Sequence, residues 1–167
     1  MIFLDMDGVL CNFVEGSLRR HGRSETHDQI SKWEYYLDWG ITAEQFWEKC
    51  SGIGFWSTLK EYPWAGELYA AAGYLCDTYI LTSPSTTGLG ECIEGKRAWL
   101  LGSPDRIIPT AHKHLLAAPG RVLVDDSTGN IEKWIEHGGI GLGVKQPWNN
   151  FELDGWQVIK KLKELMA

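Results

Sequence analysis

The sequence lacks long apolar runs and lacks an excess of positive charge. No stretch approaches the roughly 20 apolar residues that a membrane-spanning helix needs, so no membrane association is expected. Among 167 residues, 16 Lys and Arg face 22 Asp and Glu, which gives a formal net charge of −6. Because nonspecific binding to nucleic acid requires a basic surface, long nucleic acids are not expected as partners either.

Cysteine is scarce, and its spacing fits neither a metal site nor a redox motif. No two cysteines form a CxxC pair, and Met1 leads directly into a short apolar run that ends at Asp5. We therefore expect no secretory leader, a cytoplasmic location and free, mostly buried thiols. The four cysteines are Cys11, Cys50, Cys76 and Cys92.

Internal repeats and low-complexity tracts are absent, whereas apolar residues make up 44% of the chain. This composition suits one domain with a buried core and a small inserted subdomain. Five short apolar runs without polar alternation are typical of strands that are buried on both faces of a parallel sheet. These runs are Ile2–Leu4, Tyr79–Leu81, Arg106–Ile108, Arg121–Val124 and Ile140–Val144.

Helical spacing of apolar residues separates these runs. Leu68, Ala71, Ala72 and Leu75 form one such stripe, and another helix is predicted over Ile93–Leu101. Strands that alternate with helices form right-handed βαβ units. The sequence therefore predicts an α/β fold with a doubly wound, Rossmann-like parallel sheet.

One segment breaks the alternation. About seventy residues separate the first two apolar runs, more than a crossover helix needs, and residues 33–64 contain ten of the twenty aromatic residues. Thr42, followed by Glu44 and Gln45, is typical of a helix start. We predict a small helical cap over residues 13–64, inserted into an α/β core of residues 1–12 and 65–167.

Polar residues follow several predicted strands where the strands end. Ligands of open parallel sheets bind beyond this edge. Three converging carboxylates there would repel one another unless a cation lay between them, and hard oxygen ligands favour Mg²⁺. Each group alone has a simpler explanation, such as a turn or a helix cap, but their joint placement favours a site. The groups are Asp5-Met6-Asp7, Thr82-Ser83, Asp125-Asp126 and the nearby Lys113.

The segment Asp5-Met6-Asp7-Gly8-Val9-Leu10 resembles the first signature of the haloacid dehalogenase superfamily. Thr82, Lys113 and the Asp125-Asp126 pair resemble the other three signatures. The resemblance implies that Asp5 is a nucleophile that forms an aspartyl-phosphate and that Asp7 is the acid and base. An aspartate at position 7 is typical of the phosphatases in this superfamily.

The same resemblance implies the ligands. Asp5, the backbone carbonyl of Asp7 and Asp126 would hold Mg²⁺, with Asp125 behind them or bound through water. Thr82, with Ser83 beside it, and Lys113 would bind the phosphate group. Lys96 is placed in the substrate pocket, as an alternative to Lys113 for binding phosphate or as a supporting charge; it could also be a solvated helix residue.

A closer resemblance, to the 5'(3')-deoxyribonucleotidases, covers most of the chain. It implies that Phe13, Trp33 and Phe55 or Trp56 enclose a nucleobase and a deoxyribose, although each ring could instead belong to the core of the cap. The segments that carry it are DMDGVL followed by Phe13, Phe55-Trp56 before Pro63, Thr82-Ser83-Pro84 with Cys92, Lys96 and Trp99, Leu123–Asp126, and Gln146-Pro147-Trp148-Asn149.

Two departures from that family leave the substrate open. The loop after Pro84 has no basic residue, and Ser127 stands where Arg or Lys is frequent. The leading hypothesis is a Mg²⁺-dependent phosphatase of deoxyribonucleoside monophosphates. The alternatives are a phosphatase of sugar phosphates or 3'-phosphates and a catalytically idle nucleotide-binding module. The preferred base and the oligomeric state stay open, and a homodimer is one state that the sequence allows.

Overall fold

Five parallel strands form the centre of the protein, whose computed structural model describes residues 1–100 and 104–166. The strand order is β3-β2-β1-β4-β5, with β1 beside both β2 and β4. This order confirms the predicted fold, and each apolar run coincides with a strand to within one residue. The strands are β1 (Ile2–Leu4), β2 (Thr78–Thr82), β3 (Ile107–Pro109), β4 (Val122–Asp125) and β5 (Ile140–Gly143).

Seven α-helices are described, together with 3₁₀ helices at His27–Gln29, Tyr35–Trp39, Pro104–Arg106 and Lys113–Leu116. The helix predicted over Ile93–Leu101 begins earlier, at Leu89, and ends at Trp99; Leu101 lies outside the described residues. The α-helices are α1 (Phe13–Arg20), α2 (Ala43–Lys49), α3 (Ile53–Ser57), α4 (Ala65–Leu75), α5 (Leu89–Trp99), α6 (Thr128–Glu136) and α7 (Gly155–Met166).

Side chains of the central strands alternate between two buried clusters because successive strand residues point to opposite faces. Phe3 and Leu123 pack with Ile131 and Trp134 of α6 on one face. Ile2 and Leu4, like Val122 and Val124 of β4, pack into a larger cluster on the other face. That larger cluster continues into the aromatic residues of segment 13–64, so one apolar core supports both regions.

Segment 13–64 consists of helices, as predicted, and its two ends lie side by side. Asn12 N–H donates to Lys60 O at 2.8 Å, and Tyr62 N–H donates to Leu10 O at 2.9 Å. The helix start at Thr42 is confirmed, because its side chain accepts a hydrogen bond from the Gln45 backbone at 3.2 Å. The division of the chain into a core and a cap stays a prediction.

Helix α3 packs closely against α5, which joins segment 13–64 to the rest of the fold. At Gly95 of α5, an added Cβ would lie 2.6 Å from Trp56 Cβ and 2.7 Å from the Ile53 carbonyl oxygen. Only glycine permits this approach of the two helices. The segment is therefore fixed to the sheet-bearing part through α3 as well as through its two ends.

All four cysteines are free thiols, and three of them are buried. Among the described residues, no helix combines the length and the apolar character that crossing a membrane requires.

Candidate active site

The loop after β1 presents two aspartates at the carboxyl edge of the sheet. Asp5 continues the strand, since its N–H donates to Val124 O at 2.8 Å. Gly8 then turns the chain with a φ of +79°, and a Cβ at this position would lie 2.4 Å from Asp126 Oδ2. Glycine is thus required here both for the turn and for the close approach of Asp126.

Lys113 is buried between two of the carboxylates. Its Nζ lies 2.8 Å from Asp5 Oδ1 and 2.7 Å from Asp125 Oδ2, and its side chain is 1% exposed. Burial alone lowers the pKa of a lysine, but the Asp125 and Asp5 carboxylates outweigh it and raise the pKa of Lys113 above its usual value. Lys113 therefore carries a permanent positive charge next to Asp5.

Both oxygens of Asp125 are occupied by protein groups. Oδ1 accepts the Ser127 N–H at 2.8 Å, and Oδ2 accepts Lys113. The Asn130 amide donates to both oxygens, at 3.2 and 3.1 Å. Asp125 therefore holds Lys113 and the start of α6 in place.

Asp5, Asp125 and Asp126 form a buried group whose oxygens lie within 4.8 Å of one another. Burial raises the pKa of Asp5 to about 7, with the Asp125 and Asp7 carboxylates adding to the shift and Lys113 opposing it. Burial, with the Asp125 and Asp5 charges, also raises the pKa of Asp126. Such a group gains stability from an added cation, and carboxylate oxygens are the ligands that Mg²⁺ prefers. The residues therefore fit a divalent hard cation.

Asp126 and Asp5 each keep an oxygen that is free for such a cation. Asp126 Oδ2 accepts the Trp148 indole N–H at 2.7 Å, and Asp5 Oδ1 accepts the Met6 N–H at 2.7 Å. Within residues 1–100 and 104–166, no hydrogen bond reaches Asp126 Oδ1 or Asp5 Oδ2. This asymmetry distinguishes Asp126, which has a free oxygen, from Asp125, which has none.

The loop after β1, residues 5–10, is called the catalytic loop. Lys96 lies on the other side of this loop from Lys113 and is fully buried. Its Nζ lies 2.5 Å from Asp7 Oδ2, 2.7 Å from Thr82 Oγ1 and 3.3 Å from the Ser83 carbonyl oxygen. The interpretation of Lys96 as a solvated helix residue is wrong, because α5 turns this side chain inward beneath α3. Lys96 pairs with Asp7 and Lys113 with Asp5, and which of the two lysines binds phosphate stays a prediction.

A cavity of about 500 Å³ opens above these groups. Its lining combines carboxylates, which we call the carboxylate end, small polar side chains, and aromatic rings, which we call the aromatic wall. Among the described lining residues, no side chain is basic. The lining residues are Asp5, Asp7, Asp126, Ser83, Pro84, Ser85, Thr86, Ser127, Thr128, Asn130, Asn149, Phe13, Trp33, Trp47, Trp56 and Trp148.

Phe13 is the centre of the aromatic wall. It stacks on Trp47 at 5.5 Å and on Trp56 at 5.6 Å between ring centroids. Trp33 lies 5.9 Å from Phe13 and is 42% exposed. Phe13, Trp33 and Trp56 therefore line the cavity, and their contact with a base and a deoxyribose stays a prediction.

Phe55 and Lys96 depart from their predicted position in the substrate pocket. Phe55 meets Phe13 edge-on at 5.9 Å and is buried behind the wall, because its turn of α3 faces α1. Lys96 lies beneath Asp7 and Thr82, so its ammonium group does not line the cavity. Thr82, too, is buried below the cavity floor, whereas Ser83 lines it.

Sequence analysis missed two rings of the wall. Trp47 lies on α2, whose start at Thr42 is recognisable in the sequence. Helical spacing from that start could have indicated the side of α2 on which Trp47 lies. Trp148 belongs to the Gln146–Asn149 segment, which was noted as a motif without a role. Its hydrogen bond to Asp126 depends on a contact between residues 22 positions apart, which spacing does not reveal.

Comparison with protein families gives one match that spans nearly the whole chain. The sequence model described as "5' nucleotidase, deoxy (Pyrimidine), cytosolic type C protein" matches residues 1–164. No curated protein sequence is a significant match.

Several solved structures with similar folds are described as hydrolases, at low sequence identity to this chain. A haloacid dehalogenase-like family hydrolase from Xanthomonas campestris has a TM-score of 0.62 at 13% identity, covering 98% of this chain and 90% of that chain. A hydrolase from Pseudomonas syringae has a TM-score of 0.59 at 14% identity, covering 99% of both chains. At these identities the likeness establishes the fold and nothing further.

Proposed function

Because this chain belongs to the family of cytosolic type C deoxy(pyrimidine) 5' nucleotidases, we propose that it hydrolyses deoxyribonucleoside monophosphates with Mg²⁺ as its cofactor. Membership makes the chain a phosphatase of the 5'-nucleotidase type. The sugar, the cation, the residue roles and a cytoplasmic location are our proposal.

The observation that carries the proposal is the position of Asp5 at the carboxylate end of an aromatic cavity. Lys113 and the Met6 N–H hold Asp5 Oδ1, which fixes the carboxylate in one orientation. A carboxylate fixed in this way and a stacking surface in the same cavity suit a substrate with a phosphate at one end and a flat base at the other.

The reaction follows in two displacements. In the first, the Asp5 carboxylate attacks phosphorus, the bond to the ester oxygen breaks, and Asp7 gives that oxygen a proton. In the second, Asp7 takes a proton from water, the water oxygen attacks the aspartyl-phosphate, and phosphate leaves with the Asp5 carboxylate restored. A poor leaving group such as a sugar alkoxide needs this acid.

Asp7 must change its partners during the cycle. Its Oδ1 accepts the Cys11 thiol at 3.3 Å, and its Oδ2 accepts Lys96. An arriving phosphate offers Lys96, Thr82 and Ser83 a stronger acceptor, since charged oxygens bind ammonium groups and hydroxyls well. Lys96 would then bind phosphate together with Lys113 and release Asp7 for proton transfer.

Asp5, Asp126 and the backbone carbonyl of Asp7 would hold the cation. Asp125 is less suited, because Lys113, Ser127 and Asn130 already occupy its oxygens. When bound, the cation supplies positive charge that balances the carboxylates and the phosphate oxygens.

The cap proposed for residues 13–64 would set the substrate, because it carries most of the aromatic wall. A ring pressed against the sugar disfavours a 2'-hydroxyl, since burying it unpaired costs about 1–3 kcal/mol. The absence of basic side chains on the described wall disfavours a second phosphate group.

The test is phosphate release from ribo- and deoxyribonucleoside 5'- and 3'-monophosphates and from sugar phosphates, each with Mg²⁺ and with EDTA. We expect magnesium-dependent release that favours deoxyribonucleotides and is largely lost in Asp7→Asn. Preferred release of phosphate from sugar phosphates would refute deoxyribonucleotides as the substrate and would leave the proposed phosphatase mechanism in place. No release from any ester would favour an idle binding module instead.

A further inference from the structure

Trp148 is the one aromatic residue of the described cavity wall whose ring nitrogen donates to a site carboxylate. Its Nε1 lies 2.7 Å from Asp126 Oδ2. Its ring lies 5.9 Å from the ring of Trp33, which in turn lies 5.9 Å from Phe13. One side chain thus touches both the carboxylate group and the surface proposed for the base.

We propose that Trp148 is a positioning residue that fixes Asp126 so that its free Oδ1 faces the divalent cation. This inference rests on the cation binding of the proposed function. The indole N–H occupies Oδ2. Gly8 lies against the same carboxylate, because a Cβ added there would lie 2.4 Å from Oδ2 and 2.9 Å from Oδ1. The indole N–H therefore holds the carboxylate in an orientation in which no hydrogen bond from the described residues reaches Oδ1.

The segment that carries Trp148 is itself anchored to the catalytic loop. Gln146 Nε2 donates to Gly8 O at 2.6 Å, and Asn149 Nδ2 donates to the Asp126 carbonyl oxygen at 2.8 Å. Asn149 Oδ1 also accepts the Gln146 N–H at 3.1 Å, which closes the turn. Trp148 lies between these two anchors, so the backbone that carries its indole is fixed beside Asp126 and Gly8.

His27 supports the same indole from segment 13–64. Its ring meets Trp148 edge-on at 5.3 Å, and its Nε2 lies 3.0 Å from Gln146 Oε1. The helical segment therefore contributes to the cation site indirectly, through Trp148, as well as to the cavity wall.

The test compares Mn²⁺ binding by the substrate-free protein, measured by calorimetry, in Trp148→Phe and in two other tryptophan variants. Phenylalanine keeps a smaller aromatic ring and removes the N–H donor, and the other two variants make the same reduction in size. Loss of a hydrogen-bond partner behind a metal ligand lowers metal affinity by about 10–100-fold. We expect an affinity loss of about tenfold in Trp148→Phe. Affinity should be unchanged in Trp33→Phe, which makes the same change in a wall ring that donates to no carboxylate of the site, and in Trp156→Phe on α7.

Activity provides a second measurement. In Trp148→Phe, the Mg²⁺ concentration for half-maximal rate should rise about tenfold, while in Trp156→Phe it should stay at the wild-type value. Circular dichroism and the Tm of each variant test whether it is folded.

Three outcomes would overturn the inference. Wild-type Mn²⁺ affinity in a folded Trp148→Phe would show that the hydrogen bond does not position Asp126. An equal loss in Trp33→Phe would assign the effect to packing of the wall. Absence of Mn²⁺ binding in the wild-type protein would refute the cation site of the proposed function as well.

Discussion

The carboxylate end and the aromatic wall of the cavity are built in different ways. At the carboxylate end, Lys96 and Lys113 are buried and bonded to specific oxygens, so a displacement of either would leave a charge unpaired. The aromatic wall is held by ring contacts at 5.5–5.9 Å, and Trp33 is 42% exposed. We therefore expect the first region to lose function on any exchange of residue type and the second to accept other apolar shapes.

This contrast assigns the chemical reaction to the carboxylate end and the selection of the substrate to the aromatic wall. Buried charges are costly unless they are paired, which fixes their identity and position together. Ring packing depends on area and shape and can be altered in steps. Substitutions in the first region should therefore lower the rate for every ester, and substitutions in the second should change which ester is preferred.

The largest expected effect is that of Asp5→Asn. Without the nucleophilic carboxylate, kcat should fall by about 10⁴-fold or more for nucleotides and small esters alike. Steady-state phosphate release measures this loss, with the exposed Asp105→Asn as a control of equal charge change. Activity close to wild type on either ester would contradict the proposed nucleophile.

Next in size is the effect of replacing each buried lysine by methionine. Both variants should lose about 10²–10³-fold in kcat/KM, as expected when a donor to the reacting group is removed. Lys113→Met should also lose about 3–5 kcal/mol of unfolding free energy, because it strands the buried Asp125. Lys96→Met should lose less, since Asp7 is 16% exposed.

Urea denaturation of both lysine variants measures the difference in stability. If Lys96→Met were the less stable variant, the burial of the partner carboxylate would not determine how much unfolding free energy is lost.

Phe13→Ala tests whether the wall depends on a central ring. Because Phe13 packs against Trp47, Trp56 and Phe55, truncation should cost about 3–5 kcal/mol of unfolding free energy. Trp33→Ala, at the exposed rim, should cost about 1 kcal/mol or less. Equal losses for the two variants in thermal or urea unfolding would refute the central position of Phe13.

The smallest effect is expected at the contact between α3 and α5. Gly95→Ala inserts a methyl group against Trp56 and the Ile53 carbonyl, which should cost about 1–3 kcal/mol. Gly90→Ala in the same helix meets no atom within 4 Å and should be neutral or slightly stabilising. A neutral Gly95→Ala would show that α3 is not tightly fixed to α5.

The sheet and the carboxylate end could be predicted because local sequence determines both. Apolar runs define the strands, and the strand ends place Asp5, Thr82 and Asp125 at one edge. The partner of each lysine could not be predicted, because Lys96 and Lys113 reach their carboxylates through the packing of separate elements.

The aromatic wall could be predicted only in part. Phe13 follows the catalytic loop directly, so its place near the cavity follows from chain connectivity. Phe55 and Trp56 are neighbours on a short helix, and only the close packing at Gly95 decides which of them faces the cavity. Trp47 and Trp148 arrive from α2 and from the segment after β5, whose positions depend on the tertiary fold.

The measurement that most directly tests the separation of chemistry and selection uses the double variant Trp33→Ala/Trp47→Ala. It compares kcat/KM for a deoxyribonucleoside 5'-monophosphate with kcat/KM for glycerol phosphate, which has no base to stack. Since stacking of one base is worth about 1–3 kcal/mol, the nucleotide value should fall by about tenfold or more while the glycerol phosphate value stays within about threefold. Equal losses on both esters in a folded variant would contradict the account.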